Sequence, residues 1–278
     1  MTIINIKNNS QVTEEYFLME LDAPNLVDKT EPGQFFNLRF NNGRSYDPLL
    51  RRPLSVHDLN KKTGSILLLY RLVGRGTELL SKYKAGESLD ILGPLGSGFD
   101  VSLEKKKILI IGGGMGIAPL YYLTKKLLAD TGKSGNHLTI LLGGNSKEDL
   151  GYFAERFEGI KTGIDASLET DIRYTTIDGS LGEMGNVIEL WEKLFRFDYD
   201  YLYTCGPVPM LVHVQELAGR YNIDGQVSLE ERMGCGIGLC LSCVCKTDKG
   251  NQRICKEGPI FPLQSVNFNI ESGCDCNE

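Results

Sequence analysis

The chain has 278 residues, 41% of them hydrophobic and 24% charged, enough apolar material for two domains and a small third module. Its 36 acidic against 30 basic residues leave a formal net charge of -6, without the basic excess of a wholesale nucleic-acid or anionic-membrane binder. No apolar run approaches the ~18 residues a membrane helix needs. Met1 to Lys7 lacks the basic start and long apolar stretch of an export signal, so a soluble, cytoplasmic protein is expected.

In chain order, residues 1–101 are expected to be β structure. Short apolar or alternating runs recur at Tyr16–Leu21, Phe35–Phe40, Ser65–Leu72 and Ser88–Ile91. They are separated by turn signals at Glu31-Pro32-Gly33, Asn41-Asn42-Gly43, Lys61–Gly64 and Lys84-Ala85-Gly86, a spacing that suggests a small antiparallel barrel. From 102 to 227 the pattern becomes strand–helix alternation. Lys105, Lys106 and Lys107 precede the fully apolar Ile108–Ile111, the kind of run buried in a parallel sheet. A helix bearing Leu120, Leu123 and Leu127 on one face follows. Further strands are expected at Leu138–Leu142, Ile172–Thr176 and Tyr201–Cys205. Helices are expected at Leu150–Phe157, at Val187–Phe195 with Asn186 as N-cap, and at Pro209–Arg220. Repeated βα units imply a parallel, doubly wound sheet. The last stretch, 228–278, has no long periodic segment.

That last stretch holds every cysteine but Cys205, from Cys235 to Cys276. A cytosolic chain keeps thiols reduced, so such a cluster points to a metal site before a disulfide framework. Cys235-x4-Cys240-x2-Cys243, followed by Cys255, has the plant-type [2Fe-2S] spacing. Gly234, Gly236 and Gly238 let the loop wrap closely around an inorganic core. Structural zinc and plain buried cysteines are the alternatives, but zinc ribbons use paired C-x2-C knuckles and only one such pair is present. Cys245 reads as a packed thiol, and Cys274 and Cys276 have no assigned role.

Two weaker signals accompany the cysteines. Gly112-Gly113-Gly114-Met115-Gly116-Ile117-Ala118-Pro119 follows a buried strand and opens a helix, where a phosphate meets backbone N–H groups. The strict G-x-G-x-x-G pattern fails at Pro119, and a tight strand–helix turn without ligand is the alternative. Cys205-Gly206-Pro207 ends a later parallel strand in the same sheet, where ligands of such sheets gather. In the barrel, Arg52-Pro53-Leu54-Ser55 offers a cation and a hydroxyl, and Gly74-Arg75-Gly76-Thr77 a glycine turn with a hydroxyl. Taken alone, both are equally compatible with a surface arginine and ordinary turns.

Together, in this order, the signals resemble the ferredoxin–NADP reductase superfamily. Pro32–Phe35, Arg52–Ser55, Gly74–Thr77, Gly93–Gly96, Gly112–Pro119, Glu230–Cys235 and Cys255–Phe261 resemble the electron transfer subunits of class 1B dihydroorotate dehydrogenase. The resemblance spans essentially the whole chain. It implies an FAD-binding β-barrel domain over 1–101, an NAD-binding α/β domain over 102–227 and a [2Fe-2S] module over 228–278. It implies FAD contacts at Arg52, Pro53, Leu54, Ser55, Leu69, Tyr70, Arg71, Gly76 and Thr77, and cluster ligation by Cys235, Cys240, Cys243 and Cys255. It places the nicotinamide near Gly112, Gly113, Gly114, Gly116 and Pro119 and near Cys205, Gly206 and Pro207. An FMN-containing dihydroorotate dehydrogenase catalytic subunit is the implied partner, as two of each chain in a heterotetramer, with electrons passing through the cluster and FAD to NAD+ in pyrimidine synthesis. No catalytic acid–base pair is expected, and His57, His137 and His213 read as structural or exposed. The small subunits of NADH-dependent ferredoxin:NADP oxidoreductase and sulfide dehydrogenase share the architecture, but an acidic residue commonly replaces one cluster cysteine in that branch. In the segment Gly143–Asp149, one lysine beside two acids favours NAD over NADP.

Overall fold

The structure is a computed structural model that describes residues 2–40, 47–102, 107–134, 137–162, 170–194 and 197–268. The expected Asn41–Gly43 turn, Lys105, Lys106, Phe195, Cys274 and Cys276 lie outside the described residues.

The first half forms strands β1 (Thr2–Gln11), β2 (Tyr16–Asp22), β3 (Phe35–Arg39), β4 (Arg52–Asn60) and β5 (Ser65–Arg71), helix α1 (Arg75–Ser81) and strand β6 (Ser88–Leu95). They close into an antiparallel barrel of order β1-β2-β5-β4-β3-β6. Alternation explains the closure. Met19 and Leu21 of β2, Ile66 and Leu68 of β5 and Leu89 and Ile91 of β6 point inward at 0–1% exposure, filling the barrel around Phe36 and Leu38. The Gly74–Thr77 segment, expected as a turn, is instead the first turn of α1: Thr77 Oγ1 accepts from the Val73 and Gly74 backbone N–H groups at 3.0 and 3.3 Å. Strands β1 and β4 escaped the sequence reading. The β1 sequence beyond Ile6 is polar, and the candidate binding run at the start of β4 conceals its strand pattern.

The second half alternates as expected: β7 (Lys107–Gly113), α2 (Ile117–Ser134), β8 (His137–Gly144), α3 (Lys147–Thr162), β9 (Thr170–Thr176), β10 (Glu183–Met184), α4 (Val187–Lys193), β11 (Tyr201–Cys205), α5 (Val208–Arg220) and β12 (Asp224–Ser228). Ile108 to Ile111 are completely buried because helices cover both faces of the sheet. Ile108 and Ile110 meet α2 and α3 through Leu120, Leu123 and Phe157. Leu109 and Ile111 meet the opposite cluster, which holds Trp191 of α4 and Val214 of α5. Asn186 caps α4, accepting from Ile188 and Glu189 N–H at 2.9 and 3.0 Å.

The remaining strands are β13 (Val244–Thr247), β14 (Gly250–Arg253) and β15 (Ile260–Pro262). The first two form a hairpin, while β15 adds to the large sheet antiparallel to β12, giving the order β10-β9-β8-β7-β11-β12-β15. The cysteine-rich stretch is thereby tied to the seven-stranded sheet. No helix among the described residues is long and apolar enough to cross a membrane.

Candidate functional site

Each of the three groups of residues singled out above is gathered locally by the fold. In the barrel, the β4–β5 ladder runs from Asn60↔Ser65 only as far as Val56↔Leu68. Beyond it, Arg52, Pro53, Leu54 and Ser55 pair with β3, while Leu69, Tyr70 and Arg71 pair with β2. The wall therefore parts between the two stretches that the resemblance assigned to a flavin. Gly76 closes one end: a Cβ there would lie 2.9 Å from Arg52 Nε, so the guanidinium lies across the glycine. Within the second stretch, Tyr70 is turned into the wall, 1% exposed, stacked on Phe17 and donating to Asn9 at 3.0 Å. Leu69 is 3% exposed, Arg71 pairs with Glu15 at 2.6 Å, and the Thr77 hydroxyl is committed to its own turn.

In the sheet, Cys205 of β11 stands directly opposite Gly112 of β7. A Cβ on Gly116 would lie 2.5 Å from the Cys205 carbonyl carbon and the Gly206 nitrogen, so the two loops meet backbone to backbone. Gly113 faces Met210 Sδ and Pro207 Cδ, at 2.7 and 3.2 Å from where its Cβ would be. Gly114 turns at φ +53 with open space around it. Pro119 sits in the first turn of α2, where no N–H is missed. Burial pushes the Cys205 thiol well up, with Glu230 adding to the effect.

The cysteines form two pairs. Cys235 N–H points at Cys240 Sγ and Cys240 N–H back at Cys235 Sγ, each at 3.4 Å. Cys255 N–H points at Cys243 Sγ at 3.5 Å. Further donors converge on the sulfurs: Ile237 and Leu239 N–H on Cys235 at 3.5 and 3.3 Å, and Gly238 N–H on Cys255 at 3.1 Å. Gly236 and Gly238, at φ +71 and +81, make this wrapping possible. The Ser242 hydroxyl lies 3.2 Å from Cys240 Sγ and, with backbone N–H groups, holds that thiol down at about 6. Burial, reinforced by the neighbouring Cys243 thiol, pushes Cys255 up to about 12. Among the described residues no group of three or more His, Cys, Asp or Glu side chains is gathered closely enough to hold a metal ion. Two pairs of thiols under a canopy of N–H donors are the donor set that a two-iron cluster needs. Cys245 lies on β13 opposite Gln252, and burial raises its thiol to about 11, which suits a packed residue.

Sequence reasoning missed Ser242, Arg253 and Asn37. Arg253 donates to the Gly238 carbonyl at 2.7 Å and pairs with Glu257, whose carboxyl it holds down at about 2. Asn37 Nδ2 reaches the Cys235 carbonyl at 3.4 Å and so joins the cysteine loop to the barrel. Ser242 is visible in hindsight as a hydroxyl between two thiols, whereas Asn37 is 198 positions away from its partner and leaves no local signal.

Residues 230–267 match the family model of the iron–sulfur cluster binding domain of dihydroorotate dehydrogenase B. The chain is 38% identical over 260 residues to the dihydroorotate dehydrogenase B (NAD(+)) electron transfer subunit of Desulforamulus reducens, covering 92% of this chain and 94% of that protein. The chain belongs to the dihydroorotate dehydrogenase B electron transfer subunits. The Fusobacterium nucleatum subunit of the same name is also 38% identical, over 94% of this chain and 96% of its own. Among solved structures, a chain of the NADH-dependent reduced ferredoxin-NADP oxidoreductase superposes with a TM-score of 0.81 at 28% identity, over 96% of this chain and 91% of that one. A ferredoxin NADP+ reductase from Neisseria gonorrhoeae, at 16% identity and a TM-score of 0.61, shares the barrel and α/β fold over 79% of this chain and 91% of its own. This electron transfer subunit combines a closed barrel, a mostly parallel sheet and a cysteine loop in one polypeptide.

Proposed function

We propose that this chain carries electrons from a dihydroorotate dehydrogenase catalytic subunit, through a [2Fe-2S] cluster and FAD, to NAD+. When bound, those groups supply the one-electron and hydride chemistry, and the protein's task is to hold and orient them. Cys235 and Cys240 would hold one iron and Cys243 and Cys255 the other, with the Ser242 hydroxyl and the loop N–H groups stabilising negative charge on sulfur. The parted wall between Arg52–Ser55 and Leu69–Arg71 suits the flavin, with Arg52 as the cation for its pyrophosphate. The joined loops Gly112–Pro119 and Cys205–Pro207 suit the nicotinamide nucleotide. Near the ends of β8 and β9, Glu148 and Asp178 are held ionised by the Ser146 and Ser180 hydroxyls, and their charge disfavours a 2′-phosphate. This supports NAD over NADP.

One observation carries the reading. The cysteine loop touches the barrel at Asn37, which pairs with Pro53 in the β3–β4 ladder, so a single strand separates the cluster loop from the flavin stretch. The division at about residues 101 and 227, a cytoplasmic location, an FMN-bearing partner and a heterotetramer with two of each chain belong to the same proposal. The contact surface we assign is the loop Cys235–Cys243, where Ile237, Leu239 and Leu241 are 44, 77 and 61% exposed beside the thiols. Anaerobic isolation of the tagged chain from its own cells tests the partner. A dihydroorotate dehydrogenase catalytic subunit is expected to accompany it, and a large flavin and [4Fe-4S] subunit in its place would overturn the assignment.

A further inference from the structure

We infer that Asp58 is a positioning residue whose carboxylate ties the barrel to α2 and α3 and so sets how the flavin cleft faces the nicotinamide cleft. The inference rests on the proposed function, because it concerns two cofactors that meet between these halves. Its starting point is an irregularity in β4. The register against β5 shifts between Val56 and Asp58, leaving His57 as the extra residue of a bulge. A bulge re-aims side chains. Here two consecutive ones, His57 at 0% and Asp58 at 6% exposure, are both buried in contact with the nicotinamide half.

Asp58 Oδ1 accepts from Lys125 Nζ of α2 at 2.6 Å and from Leu59 N–H at 2.8 Å. Its Oδ2 lies 3.4 Å from an Arg156 nitrogen of α3. The Asp58 side chain is 8% exposed against 37% and 33% for its two partners, so the carboxylate is the buried pivot. Around it, Arg156 lies over the Tyr121 ring at 4.6 Å, and that ring stacks on His57 at 4.8 Å. His57 Nδ1 meets the Ala118 carbonyl at 2.8 Å. Ala118 is in the first turn of α2, the turn that the glycine loop opens, and Asp58 is on the strand that begins with Arg52–Ser55. One strand and one helix thus run from the two clefts to the same carboxylate. A buried ion pair often stabilises a fold no better than apolar side chains of similar volume. What this triad adds is direction, since two cations on different helices converge on one fixed anion.

The test uses the complex of this chain with its catalytic subunit and follows flavin reduction by stopped flow. Asp58→Asn keeps the volume and removes the charge. Flavin reduction at saturating NADH is expected to slow by roughly tenfold to a hundredfold, the effect of a misplacement of about 1 Å, with the NADH concentration dependence unchanged. Flavin reduction driven by dihydroorotate is expected to stay at the wild-type rate. The cysteine stretch meets the barrel through Asn37 and through Ser97 N–H on the Gly258 carbonyl at 2.7 Å, which Asp58 does not touch. Asp58→Glu should recover part of the rate. If Asp58→Asn does not fold, Lys125→Met and Arg156→Met carry the same expectation from more exposed positions. A wild-type rate in these variants, or equal losses in both half-reactions, would overturn the inference. A wild-type complex that NADH cannot reduce would overturn the proposed function itself, and this inference with it.

Discussion

His57 makes the domain junction acid-sensitive. The side chain is fully buried, and burial holds its pKa down at about 3, against an ordinary value of 6.5; Arg156 and Lys125 lower it further, while the bond to Ala118 opposes the shift. The imidazole is therefore neutral in the folded protein and donates from Nδ1 to the Ala118 carbonyl. In the unfolded chain it takes up a proton once the pH falls below 6.5. Between pH 6.5 and 3 the unfolded state binds more protons, so stability is lost as the pH falls. The loss is about 1.4 kcal/mol per pH unit, or about 2 kcal/mol on going from pH 6.5 to 5. His57→Asn places an amide nitrogen near the Nδ1 position and does not titrate. That variant should be less stable at pH 7.5 because of lost volume, yet it should lack this slope. The assay is chemical denaturation of the holoprotein at several pH values between 7.5 and 5. Effects of acid on the cluster are common to both proteins and cancel in the difference. Identical pH slopes for wild type and His57→Asn would refute the reasoning.

Other substitutions probe the rest of the account. Serine at Cys235, Cys240, Cys243 or Cys255 should lower bound iron and visible absorbance sharply, while Cys205→Ser and Cys245→Ser should retain both; iron per chain measures this. Gly116→Ala forces a methyl to within 2.5 Å of the Cys205 and Gly206 backbone. It should cost about 1–3 kcal/mol in denaturation and weaken NADH binding, because neither backbone can give way. Asn186→Ala removes the α4 cap and should cost about 1 kcal/mol without altering NADH-driven flavin reduction.

The parts of the molecule that were legible in the sequence are those whose physics is local. The N–H contacts to sulfur within the Cys235–Cys243 loop join residues at most five positions apart, so that loop stands out as a short motif. A strand buried on both faces, like Ile108–Ile111, must be apolar throughout. The Asn186 cap is likewise written within four residues. What escaped depends on distant partners. The Asp58 carboxylate meets cations 67 and 98 positions away, and neither spacing leaves a periodic trace. The bulge at His57 is invisible because it is defined by the register of another strand. Strand β15 has only three residues and joins the sheet by pairing with β12, so no pattern of its own reveals it. The parting of β4 from β5 is of the same kind: both cleft edges were noticed as motifs, but their separation is a property of the barrel.

The most direct measurement is dihydroorotate-driven NADH formation by the purified complex, with and without this chain. The account predicts NADH formation with the wild-type chain and none with Cys243→Ser or with the catalytic subunit alone. In both cases dihydroorotate should still be oxidised when an artificial acceptor is supplied. NAD+ reduction by the catalytic subunit alone, or undiminished reduction with Cys243→Ser, would contradict an electron path through this chain.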